Sequence, residues 1–201
     1  MKIAIKILSL QKIILGQMID TGNHNKQVKK DLFEYLVFLL VKWAKDIRPT
    51  QDVYLSKLRL QKILFFAATI NARKDYHPLL DVFDRFYALP YGPVEVDIYD
   101  AMNANDFSTI SFDGNYCSYN NLMDKAFNDI PEELRNALDN AIVSLKGIGF
   151  DYLFSSVFDL VDITHKWTAW EVAMRFAEIM GRHREEMSID SICDSKVKAF
   201  S

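Results

Sequence analysis

The segment from Leu32 to Trp43 is the strongest constraint on how this chain folds. Leu32, Phe33, Leu36, Val37, Phe38, Leu39, Leu40, Val41 and Trp43 cover nearly the whole circumference of a helix, and a helix apolar all round belongs in a core. It carries Glu34 and Lys42 and is too short to span a bilayer. The spacing predicts a helix over 32–45, ended at Arg48-Pro49 because the residue before proline is pushed out of helical geometry.

The rest of the chain supplies partners for that core. A helix is expected after Ser56, a residue suited to an N-cap, with Leu60, Ile63, Leu64, Ala67 and Ile70 at helical spacing. Residues 75–90 are ambiguous, and 82–88 within them are compatible with an extended segment. Tyr91-Gly92-Pro93 reads as a turn, with Pro93 at the first position of a third helix and Glu95 and Asp97 in its first turn. Asp113-Gly114, between β-rich flanks, predicts a hairpin. Further helices are expected from Pro131 to Lys146, from Ser155 or Ser156 to Ile163, from Trp170 to Met180, and from Ser188 toward Phe200. The polar residues 20–30 read as a loop that separates an N-terminal extension, 1–30, from a domain over 31–201. The fold class is mostly α (α+β): a single helical domain with one small antiparallel β-hairpin.

Composition narrows the function. Half of the 201 residues are hydrophobic, so a sizeable core is available and bulk disorder is excluded. Net charge is −3, from 24 basic and 27 acidic residues. That argues against nonspecific nucleic-acid binding, which needs a basic surplus. Two cysteines cannot build a disulfide framework or, alone, a zinc site. The apolar start is interrupted by Lys6, Gln11 and Lys12 and lacks a small-x-small cleavage site, so it does not read as a signal peptide. The expectation is a soluble, cytoplasmic protein without a membrane partner.

Chemistry-bearing patterns are sparse. Asp159, Asp162 and His165 are spaced three apart and would share a helix face, as a metal or acid–base cluster requires. The competing reading is a helix end in which Asp162 and Thr164 bond to backbone and His165 is structural. Asp81 with Asp84, and Asp97 with Asp100, read as solvated helix faces. Gly147-Ile148-Gly149 lacks the third glycine and the preceding strand of a dinucleotide loop. Ser155-Ser156 lies in no nucleophile elbow. Lys26, Lys29 and Lys30 form a small basic cluster, either a solvated loop or a contact patch for an acidic partner. No cofactor is expected, and the chain leans toward binding rather than catalysis.

Three blocks carry a resemblance. Leu58-Arg59-Leu60-Gln61-Lys62-Ile63-Leu64-Phe65-Phe66-Ala67 resembles a K-L-Q-K-L-L-Y-Y-A helix. Phe86-Tyr87-Ala88-Leu89-Pro90-Tyr91-Gly92-Pro93-Val94, with Tyr99 after it, is similar to an aromatic–Y-G-P-V segment. Leu160-Val161-Asp162-Ile163-Thr164-His165 with Trp170 looks like an L-x-x-x-T-H-x-x-x-P-W block. In this order they resemble the Panacea antitoxin domain family, often labelled phage-associated protein, with SocA-type antitoxins among its relatives. Lys166-Trp167-Thr168-Ala169 stands where that family usually has an acidic residue and a proline, and Phe86 stands where Trp is frequent.

The resemblance implies an antitoxin that binds a toxin protein encoded beside it, and in SocA-like members an adaptor that delivers the toxin to a cytoplasmic protease. It implies no enzyme activity. A phage-associated transcriptional regulator and a metal-dependent enzyme built on Asp159, Asp162 and His165 are the alternatives. Leu60, Gln61, Lys62, Tyr91, Gly92, Pro93, Val94, Thr164, His165 and Trp170 read as scaffold. Trp167, Lys26, Lys29 and Lys30 are the candidate partner contacts, Trp167 first because aromatic anchors carry interface energy disproportionately.

Overall fold

A computed structural model describes residues 2–120 and 122–195, with side chains from residue 25 onward. Helix α1 (Lys2–Ile47) ends just before Arg48-Pro49, as the proline dictates. It runs unbroken through residues 20–30, where a loop was expected. That stretch has no proline, and its single glycine costs a helix only about 1 kcal/mol against alanine. Polar composition marks a solvated helix surface as readily as a loop. From Leu32 to Ala44 the helix buries its apolar side chains in the core.

Helix α2 (Lys57–Ile70) is the centre of the domain, buried from Arg59 to Thr69. Ser56 caps it, its hydroxyl accepting from Arg59 N at 3.2 Å. After α3 (Pro78–Val82) come strands β1 (Phe86–Leu89) and β2 (Gly92–Glu95), then α4 (Val96–Ala104). Pro93 therefore lies in a strand rather than at a helix start. Proline is tolerated there because β2 is an edge strand, the sheet order being β2-β1-β5, and an edge does not need every N–H. The helix begins three residues later, where the Glu95 carboxylate accepts from Ile98 N at 2.8 Å.

Strands β3 (Ile110–Asp113) and β4 (Tyr116–Tyr119) form the hairpin expected around Asp113-Gly114, with Asp113 opposite Tyr116. Helices α5 (Glu132–Gly147), α6 (Val157–His165) and α7 (Thr168–Ile179) follow, then β5 (Glu185–Glu186) and α8 (Ile189–Asp194). β5 pairs antiparallel with β1, Glu186 opposite Tyr87, which closes a second small sheet beyond the single hairpin expected. The fold is mostly α with small antiparallel sheets. Residues 196–200, to which the last helix was expected to extend, lie outside the described residues. No described helix is long and apolar enough to cross a membrane.

Two buried polar groups tie the elements together. Glu34 on α1 accepts from the backbone of Ser108 at 2.8 Å and of Thr109 at 2.6 Å, and from both hydroxyls. Lys125 pairs with the same carboxylate. Burial opposes the charge on Glu34, but these bonds outweigh it and hold its carboxyl below the ordinary range. Arg59 donates to the carbonyls of Tyr152 and Ser155, both at 2.6 Å, and so fastens α2 to the chain before α6.

Candidate functional site

The turn joining β1 to β2, Pro90-Tyr91, projects a hairpin between α2 and the α6–α7 corner. From α2, Gln61 treats Glu95 as a neighbouring strand would: its amide oxygen accepts from Glu95 N at 2.9 Å and its amide nitrogen donates to Glu95 O at 3.3 Å. One residue on, Lys62 donates to the carbonyl of Pro93 at 2.8 Å. Lys62 is fully buried, and that burial pushes its amine down to about 7.

Gly92 is the point of closest approach. Its φ is +89°, and a Cβ there would overlap the Thr164 hydroxyl and stand 3.0 Å from Lys62 Nζ. Thr164 itself is buried and donates to Val161 O at 2.7 Å. From α7, Trp170 Nε1 donates to Leu89 O at 3.0 Å. The His165 ring stacks on Trp170, centroids 3.9 Å apart. Burial, helped by the charge of Lys62, lowers the pKa of His165, against the opposing pull of the Pro90 carbonyl. Its Nε2 has no hydrogen-bond partner among the described residues.

Residues 60–62, 91–94 and 164–170, far apart in sequence, thus meet around one hairpin. Most of them are buried; Tyr91, at the tip, is exposed. An amine titrating near neutrality beside a neutral imidazole is the chemistry of a nucleophile with a base. Here the amine is sealed in the core, so a substrate cannot reach it without opening the hairpin. The arrangement fits a clamp better than a catalytic centre. Trp170→Phe keeps the stack on His165 and removes one partly buried hydrogen bond. It is expected to cost about 1 kcal/mol, read as a drop of roughly 2–4 °C in thermal melting for a chain of this size.

A second polar cluster lies at the other end of the hairpin. Lys29 Nζ sits 2.7 Å from Asp84, 2.8 Å from Glu95 and 2.8 Å from Asp97, with Arg85 also on Asp97. Burial opposes the charge on Lys29, but Glu95, Asp84 and Asp97 outweigh it and raise its pKa. Burial raises the Glu95 carboxyl despite Lys29, whereas Lys29 and Arg85 overcome burial at Asp97 and lower it. The three carboxylates gather closely enough to hold a metal ion, but the Lys29 ammonium is bonded to all three.

Several sequence expectations are corrected. Lys29 is buried in this cluster and is not part of an open basic patch; Lys26 is exposed and Lys30 pairs with Asp106 at 3.0 Å. Trp167 is only 2% exposed and packs edge-on against Phe65 at 4.9 Å. As N-cap of α7 it turns inward, so its ring offers no surface to a partner. Asp159 and Asp162 are exposed and do not gather with His165 around a common point.

A family model described as "Antitoxin SocA-like, Panacea domain" matches residues 60–171. The match begins on α2 and ends one residue beyond Trp170, so it encloses the whole hairpin clamp. No curated protein matches the chain.

Proposed function

We propose, since the chain belongs to the family of SocA-like antitoxins with a Panacea domain, that it neutralises a toxin protein by binding it directly, without catalysis. The observation that carries this reading is the family match over the elements that build the clamp. Its buried polar groups are spent on holding α2, the hairpin and the α6–α7 corner together, which suits a rigid platform for a partner. The net charge of −3 favours a protein partner over nucleic acid. The cytoplasm is the compartment where such a partner is met, and delivery of the bound toxin to a protease there is the further step that SocA-like relatives suggest.

Co-expression with the product of the neighbouring gene tests the reading. The expected outcome is a stoichiometric complex that co-purifies through size exclusion, and rescue of growth when that product alone is toxic. A toxic neighbour that is neither bound nor neutralised would overturn it. Shortening of the neighbour's half-life on co-expression, reversed by removing the protease, would establish the adaptor step.

A further inference from the structure

Helix α7 carries more apolar surface than the described residues cover. Ala169, Ala173 and Ala177 face the core. Glu171, Arg175 and Glu178 make a polar side. Between these two sides Val172, Phe176 and Ile179, spaced i, i+4 and i+7, stand 62%, 48% and 80% exposed. Residues at that spacing share one helix face. A row of large apolar side chains rimmed by polar ones is what interaction sites look like on otherwise polar surfaces.

Beside this row lies an open groove of about 460 Å³, floored by Val172, Ala173 and Phe176. The charged residues that line it are Glu185, Glu186 and Asp194, all carboxylates. Glu185 pairs with Arg182 and Asp194 with Lys74, in surface ion pairs that a partner's cation can exchange. An apolar floor with an acidic rim selects a segment that presents apolar side chains flanked by Lys or Arg. The groove also belongs to the clamp: α7 holds the hairpin through Trp170, and Glu185 and Glu186 form β5 on the same sheet.

We infer that the groove between α7 and β5 docks an apolar segment of the toxin flanked by basic residues. This rests on the antitoxin reading above. The experiment uses the full chain, with the product of the neighbouring gene as probe. Three variants are compared with wild type: Val172→Ser combined with Ile179→Ser, Glu186→Lys, and Val143→Ser, an exposed site on α5 that serves as control. The double variant should weaken binding by about tenfold or more, as the loss of interface anchors does, with melting unchanged. Glu186→Lys should slow association, an effect that fades at high salt. The control should bind as wild type does.

If wild type binds and the double variant binds equally well, the groove assignment falls while the antitoxin reading stands. If wild type neither binds nor neutralises, both fall. A wild-type homodimer that the double variant dissociates would give the face to a second copy of this chain. A double variant that melts lower yet keeps its affinity would give it to a contact within the chain. Either result overturns the proposal.

Discussion

Gly92→Ala is expected to cost about 4 kcal/mol of folding stability. Two separate costs combine. Held at a φ of +89°, a residue with a Cβ pays on the order of 1–3 kcal/mol of backbone strain. The new methyl must also displace the Thr164 hydroxyl and crowd Lys62, and overpacking of a filled core costs about 1–3 kcal/mol more. Neither neighbour yields easily, because Thr164 is bonded to Val161 O and Lys62 to Pro93 O. At roughly 2–4 °C per kcal/mol for a chain of this size, melting should fall by about 10 °C. Gly114 separates the two costs. Its φ is +57°, but a Cβ there meets nothing within 4 Å. Gly114→Ala should therefore show the backbone cost alone, about 1 kcal/mol. Equal losses at the two glycines would mean that the crowding contributes nothing. Thr164→Ala in the Gly92→Ala background should recover part of the loss.

The helices were legible because their signals are local. Apolar periodicity placed α1 from Leu32, α2, α5 and α7, and the Ser56, Ser156 and Ser188 caps fall where hydroxyl side chains announced them. What failed was read from residues whose meaning depends on distant neighbours. Pro93 suits a helix start or an edge strand equally well, and the pairing of Ala88 with Pro93 decides between them. β5 has two residues and no periodicity to detect; it exists because β1 offers it an edge. Lys29 looked like one of three surface lysines. Its carboxylates are 55, 66 and 68 residues away, and nothing in the local pattern links Lys29 to Asp84, Glu95 and Asp97. Trp167 reads from the sequence as an exposed anchor because aromatic side chains carry interface energy disproportionately. Its burial instead follows from the inward turn at the α6–α7 corner. The three family blocks did mark the residues that meet at the hairpin, although spacing alone gave no sign that they meet.

Raising the pH from 7 to 9 should stabilise the protein, against the usual trend, and Lys62 is the reason. The amine is fully buried and holds one hydrogen bond, to Pro93 O. Burial takes it from an ordinary 10.5 down to about 7. Between those values the unfolded chain binds a proton that the folded one does not, so stability rises with pH by roughly 1.4 kcal/mol per unit. Below 7 both states hold the proton, and the whole penalty, on the order of 5 kcal/mol, is present. The clean window closes near 9, because burial holds the Cys117 thiol up at about 12, and Tyr35 and Tyr152 likewise. Those groups lose stability as pH climbs past their ordinary values. His165, lowered by burial, titrates below 6.5 and so outside this window. From 7 to 9 the expected gain is about 2 kcal/mol, the slope being only half its full value at 7 where the folded amine is half protonated. Lys62→Met should abolish that slope. At pH 6 it should also be the more stable protein, by about 2–4 kcal/mol, since relief of the buried charge exceeds the 1–3 kcal/mol lost with the bond to Pro93. Denaturant midpoints for both proteins at pH 6, 7, 8 and 9 decide the matter. Parallel profiles would mean that Lys62 keeps its proton through neutrality, and that the Pro93 carbonyl and its surroundings solvate an ammonium ion.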